Sequence, residues 1–315
     1  MLINGIYNYM RKNFIYLIFI PFLLLCYILS CPNNNSKKLE SINSKEVYSD
    51  KEQIILINYN SKDFKINLRS YLIGVLACEM PALFNEEALK AGAVAARTYY
   101  YNKLNNVNNY IAKNTDQCYI DETKMKEKWN ENFDLYYTFI VNAVTSTDDE
   151  VIFYDDSLIN AYYFSMSNGK TEECSKVFGN SYPYLISTDS SWDKNVQNYE
   201  YVVTLTVDEF KTKLNIKEKN LEINVLSKTE SGRINELLIN NKIYSGIELR
   251  KLLNLRSTDF DLNVEDDKVI ITTRGYGHGV GMSQYGANEL GKMGYSYIDI
   301  LKYYYKGVEI KKYNV

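Results

Sequence analysis

The stretch Arg69-Ser-Tyr-Leu-Ile-Gly-Val-Leu-Ala-Cys-Glu-Met-Pro81, followed by Asn85-Glu-Glu-Ala-Leu-Lys-Ala-Gly-Ala-Val-Ala-Ala-Arg-Thr-Tyr99, admits few conformations. It reads as two helices around a sharp break. In the first, Leu72, Val75, Leu76 and Glu79 recur at i, i+3, i+4 and i+7, so a carboxylate ends an apolar stripe. A residue that precedes proline is biased out of the helical region, so the helix should stop at Glu79 or Met80. Glu79 is then half-buried at a helix C-terminus. Desolvation and the negative helix end both disfavour its anion and raise its pKa toward the range of a general acid.

In the second helix Asn85 is the expected N-cap, and Glu86 and Glu87 occupy the first turn, where the helix dipole favours negative charge. Lys90, Val94, Arg97 and Tyr101 share one stripe. A tight hairpin can turn that stripe toward Glu79; in the plainer alternative, Glu79 caps or pairs locally and Lys90 and Arg97 are ordinary surface charges.

Charge narrows the function classes. Thirty-six basic and 39 acidic residues nearly balance, which gives no support for a nucleic-acid partner. A single histidine, His278, removes any multi-His metal site. The five cysteines form no CxxC pair, so zinc and redox-motif readings are weak. Cys26 and Cys31 lie in an apolar segment, and of Cys78, Cys118 and Cys174 at most one pair can bridge.

That apolar segment, residues 14–31, follows Arg11 and Lys12 and is just long enough to span a bilayer with a cytoplasmic N-terminus. No A-x-A site follows it, and Ile28-Leu-Ser-Cys31 matches a lipoprotein cleavage box only loosely, so an uncleaved anchor is expected. The organisation that follows is a membrane anchor (1–31), a polar linker (32–50), the first part of a larger lobe (51–198), a smaller β-rich lobe inserted at 199–267, and a C-terminal return to the larger lobe (268–315). The fold class is α+β: a membrane-anchored, two-lobed ectodomain built from the helical hairpin and a mixed sheet.

Near the C-terminus, Arg274-Gly-Tyr-Gly-His-Gly-Val-Gly-Met-Ser-Gln-Tyr-Gly-Ala287 lets backbone approach a ligand or another strand closely. It ends in no Gly-Lys-Ser/Thr and fits no GxGxxG, so it is no nucleotide loop. His278 is either a site residue or a satisfied histidine that orders a turn. Ser283, Gln284 and Tyr285 offer polar contacts at the start of a helix running to about Met293. Ser167-Asn-Gly-Lys170 matches S-x-x-K, but its acyl-transfer companions are missing.

Three blocks, GVLACEMPALFNEEALKAGAVAARTY, SMSNGKTEECSKVFGNSYPYL and GYGHGVGMSQYGANELGKMGYSYIDILKYYYKGVEI, resemble the SpoIID/LytB family, as does SGRINELLI with SGIELRKLLNLRST. The resemblance covers nearly all of the chain after about residue 52. It implies a membrane-anchored peptidoglycan lytic transglycosylase of spore engulfment, facing the cell wall at the sporulation septum. It further implies glycan strands stripped of stem peptides as substrate, with a SpoIIP-type amidase and a SpoIIM-type membrane protein as partners.

The family's catalytic acid falls on Glu79, and its groove and partner-activating basic residues fall on Lys90 and Arg97. Tyr163, Ser165, Ser167, His278, Ser283, Gln284 and Tyr285 complete the expected substrate-binding set. Gly92 stands where the family usually has Gln, and Phe164 stands where it has His. Some members bind zinc near the position of Cys118; no histidine lies near it here, so neither metal nor cofactor is expected. LytB-type relatives imply an alternative, a non-catalytic glycan-binding module that activates an amidase.

Overall fold

The computed structural model describes residues 53–313. The expected anchor, the linker and Cys26 and Cys31 lie outside these residues. Among the described residues no helix is long and apolar enough to cross a membrane.

Strands β1 (Ile54–Tyr59) and β2 (Lys62–Asn67) form an antiparallel hairpin. Both residues of its two-residue turn, Asn60 and Ser61, have positive φ, as a turn matched to strand twist requires. The chain passes directly into helix α1 (Leu68–Glu79), whose cap Asn67 accepts a hydrogen bond from Ser70 N at 3.2 Å. Met80, before Pro81, is extended at φ −122° and ψ 140°, so α1 ends where the proline rule places its end.

Helix α2 (Glu86–Asn106) starts at the expected cap, with Glu87 N donating to Asn85 Oδ1 at 2.9 Å. It continues to Asn106 through residues expected to be loop. Its Ala-rich middle is buried on nearly every side, because α2 is the axis on which α1, α4 (Phe133–Thr145), β4 (Glu150–Tyr154) and two C-terminal helices pack. Between α2 and α4 lie β3 (Ala112–Lys113), parallel to β1, and α3 (Glu122–Trp129). After β4 come β5 (Ser157–Leu158), β6 (Tyr163–Phe164) and the short α5 (Cys174–Phe178).

The next segment gathers its own core. Strand β7 (Glu200–Thr206) leads into α6 (Val207–Leu214), the meander β8 (Ile223–Lys228), β9 (Ile234–Ile239) and β10 (Lys242–Ser245), then α7 (Gly246–Leu253), β11 (Phe260–Glu265) and β12 (Lys268–Arg274). Phe210, Leu237, Tyr244, Leu249 and Phe260 pack there with Val269 and Ile271 of β12. Strand β12 pairs with both β7 and β11, so residues 268–274 join the sheet of this segment. A buried polar seam ties this segment to the 165–173 turn. Glu172 accepts from Thr229 Oγ1 and Ser231 Oγ, both at 2.6 Å, and Arg233 Nη1 donates to Lys170 O at 3.0 Å.

The chain then returns through β13 (Met282–Ser283), which pairs in parallel with β6, helices α8 (Gln284–Lys292) and α9 (Tyr297–Tyr304), and β14 (Glu309–Lys312) against β4. The described residues are mixed α+β, with strand pairing distributed over five small sheets where a mixed sheet and a smaller β-rich lobe were expected.

Candidate active site

Glu79 is the last residue of α1, half-buried in a narrow crevice. Leu76 and Met80 line one side, Gly92 and Ala96 of α2 another, and Tyr163, Met282 and Gln284 close it. Glycine at 92 makes this approach possible: a Cβ there would lie 2.3 Å from Met80 Sδ. One carboxyl oxygen, Oε1, accepts from Cys118 N at 2.7 Å; the other, Oε2, accepts a longer bond of 3.4 Å from Gln284 Nε2. Burial pushes the Glu79 carboxyl up from the usual range, while the Cys118 amide, Gln284 and the Lys128 ammonium oppose the rise only in part. Burial likewise pulls Lys128 down. The Cys118 amide is held in place by a disulfide between Cys118 and Cys78, the residue before the acid.

Tyr163 lies across from the acid on β6. Its hydroxyl accepts from Gln117 Nε2 at 2.9 Å, which leaves its own proton to be donated. Burial and the Glu79 charge push this phenol well up, so it stays protonated. His278 Nε2 donates to Tyr163 O at 3.0 Å, and His278 Nδ1 accepts from Val280 N at 3.1 Å. Both ring nitrogens are thus used and the imidazole is neutral; burial pulls it down to about 4. His278 fastens the glycine-rich segment to β6, the turn-ordering role of the two alternatives.

Gln284 reaches the crevice from the first turn of α8, which Ser283 caps, its Oγ accepting from Gly286 N at 3.1 Å. Tyr285 is half-exposed and meets Phe84 edge-to-face at 4.9 Å, while neighbouring Leu83 is 67% exposed. The Phe84–Tyr285 contact thus joins the loop after α1 to the start of α8. Ser165 contributes its carbonyl, which accepts from Tyr285 N at 3.0 Å. Ser167 and Ser283 are fully buried and serve a different carboxylate, Asp193, whose Oδ2 accepts from Ser167 N and Ser283 Oγ, each at 2.7 Å. Burial pushes Asp193 up to about 6. Ser167 has no access to substrate in this arrangement, which also removes the S-x-x-K reading.

The basic stripe of α2 turns away from the acid. At about 100° per residue, Lys90 and Arg97 lie roughly 100–160° around the helix from Gly92 and Ala96, the residues that face Glu79. Arg97 is 2% exposed and donates to Val144 O and Glu150 O, both at 3.1 Å. Lys90 pairs with Glu86 at 2.6 Å and Glu87 at 2.9 Å. The structure thus brings Glu79, Tyr163 and Gln284 together, sets Tyr285 against Phe84, and leaves Lys90, Arg97, Ser167 and Ser283 outside the crevice. Sequence reasoning missed Cys118 and Lys128 at the site. Only the odd cysteine count signalled the first.

A family model described as Stage II sporulation protein matches residues 59–154, the hairpin and the strand beyond it. The chain is 38% identical over 259 residues to Stage II sporulation protein D of Bacillus subtilis (strain 168), which covers 78% of this chain and 75% of that protein. It is 37% identical over 259 residues to Stage II sporulation protein D of Bacillus amyloliquefaciens, with the same shares covered. The Amidase enhancer of B. subtilis is 29% identical over 302 residues, 77% of this chain and 40% of that protein. With three quarters of each of these sporulation proteins covered at 37–38% identity, this chain belongs to the SpoIID family of stage II sporulation proteins.

Proposed function

We propose that this chain is a peptidoglycan lytic transglycosylase that cuts peptide-stripped glycan during spore engulfment, with Glu79 as its single general acid and base. The observation that carries the reading is one half-buried carboxyl, raised by burial, in a crevice whose lining offers no second carboxylate. Ordinary glycoside hydrolysis uses two carboxyl groups at a defined separation. A transglycosylase needs one, because the sugar supplies its own nucleophile.

The proton resides on Oε2, the more loosely held oxygen, since the Cys118 amide occupies Oε1. Glu79 donates it to the glycosidic oxygen as the bond to muramoyl C1 breaks. The carboxylate so formed then takes the proton of that sugar's 6-hydroxyl, whose oxygen attacks C1. The product is a 1,6-anhydro end, and no water is consumed. Tyr163 supplies a neutral donor at the crevice, and Leu83, Phe84 and Tyr285 offer apolar faces to sugar rings.

Residues 1–31 anchor the chain to the membrane, with the rest outside the cytoplasm. A SpoIIP-type amidase prepares the substrate, and a SpoIIM-type protein is the membrane partner. The second reading, a glycan-binding module that activates an amidase, is favoured by the name of the amidase-enhancing relative. The purified chain incubated alone with peptide-free glycan separates the two. A transglycosylase releases anhydro-muramoyl fragments one water lighter than hydrolysis products; a binding module releases nothing until an amidase is added.

A further inference from the structure

We propose that the Cys78–Cys118 disulfide is a positioning device for the acid, pinning the residue-118 amide against the end of α1 so that the Glu79 carboxyl keeps the geometry of a proton donor. The inference rests on the reading of Glu79 as the general acid.

Three observations carry it. Cys78 is the immediate neighbour of Glu79 on α1, and its partner lies 40 residues away with the two Cα atoms 5.6 Å apart. The partner is the residue whose N–H holds Glu79 Oε1 at 2.7 Å. The rest of the loop is fastened by other means. Gln117 Nε2 donates to Ala96 O at 3.3 Å and to Tyr163 at 2.9 Å. Tyr119 stacks on Tyr71 at 5.7 Å and packs so tightly on α1 that only glycine fits at 74, where a Cβ would lie 2.3 Å from its ring. Those anchors act on residues 117 and 119, and at residue 118 itself the covalent tie to α1 is the disulfide. It fixes the amide where catalytic geometry is least forgiving.

Opening the bond requires a dithiol. The dithiol gives two electrons and two protons, the Cys78–Cys118 bond breaks to two thiols, and the dithiol closes its own disulfide. Around the carboxyl remain Lys128 from α3, Tyr163 from β6, Tyr71 from α1 and the uncharged Gln284 from α8. None of these replaces the lost backbone donor. With a donor to its anion weakened, Glu79 titrates at higher pH, and an acid held in fewer productive poses turns over more slowly.

The test compares the full chain, purified without reductant, with the same chain after dithiothreitol and with Cys78→Ser/Cys118→Ser. Carboxyl 13C NMR follows the Glu79 titration, with Glu79→Gln as the assignment control, and release of anhydro-muramoyl ends is measured against pH. The expected result is an intact fold, a Glu79 midpoint and basic rate limb displaced to higher pH, and kcat lower by about tenfold with KM little changed. Reoxidation of the dithiothreitol-treated chain restores both. Should the double variant fail to fold, the dithiothreitol-treated wild-type chain supplies the same comparison. A moved midpoint without anhydro product in any sample leaves the positioning role standing and removes the transglycosylase reading. Both thiols alkylated in the unreduced chain, an unmoved midpoint, or a loss confined to KM overturns the inference.

Discussion

Replacing Arg97 by methionine separates a core arginine from a substrate contact. Methionine keeps most of the aliphatic stem and removes the guanidinium, so the carbonyl of Glu150 loses its side-chain donor while that of Val144 keeps the Thr147 hydroxyl at 3.3 Å. One carbonyl left without its partner costs about 1–3 kcal/mol. Part of that is returned, because a buried cation is itself expensive to desolvate. A net loss of about 1–2 kcal/mol follows, and at roughly 2 °C per kcal/mol for a body of this size the melting temperature falls by about 2–4 °C. Thermal unfolding by circular dichroism reads the first quantity, and glycan affinity measured well below the transition reads the second. The expected pair is a lowered melting temperature with unchanged affinity. An unchanged melting temperature with weakened affinity would show that Arg97 leaves the core to meet substrate, and the placement argued above would be wrong.

Three further outcomes are expected. Gly281 has φ +79°, and a Cβ there would sit 1.9 Å from Tyr162 O, so Gly281→Ala should cost at least about 3 kcal/mol and release the parallel β6–β13 pairing; an unchanged melting temperature would contradict this. Lys128 lowers the pKa of Glu79, so Lys128→Met should raise it and move the basic limb of the pH–rate profile to higher pH; a shift to lower pH would contradict the assignment. Asp193 binds its proton more tightly folded than unfolded. Its contribution is complete below the unfolded value near 4 and fades as pH rises through about 6, a loss of about 3 kcal/mol by pH 7 that Asp193→Asn should flatten in denaturant melts taken across that range.

The hairpin was legible because its signals are local. A cap, an alanine run and a proline fixed both helix ends at the acid to within a residue. Helix α3 was missed because its sequence is polar and only Met125 and Trp129 are buried, one turn of apolar contact. Strand β11 alternates cleanly, yet Asp261 and Asn263 lower its strand propensity, and β12 decides the matter by pairing with it. The site was legible along the chain but not across it. Spacing placed Glu79 at a helix end and Lys90 with Arg97 on one stripe, but the direction that stripe faces depends on how α1 packs. Packing follows the smallest residues, so Gly92 and Ala96 face the acid and the long basic side chains are displaced to the far side. That a backbone amide 39 residues away would hold the carboxyl lies beyond any periodicity.

The most direct test of the central claim is mass spectrometry of peptide-free glycan after incubation with the wild-type chain or with Glu79→Gln. Glutamine can keep the acceptor bond from the Cys118 amide but carries no proton for the glycosidic oxygen. The account predicts 1,6-anhydro-muramoyl ends from the wild type and none above background from the folded variant. Anhydro ends at the wild-type rate from Glu79→Gln would contradict it.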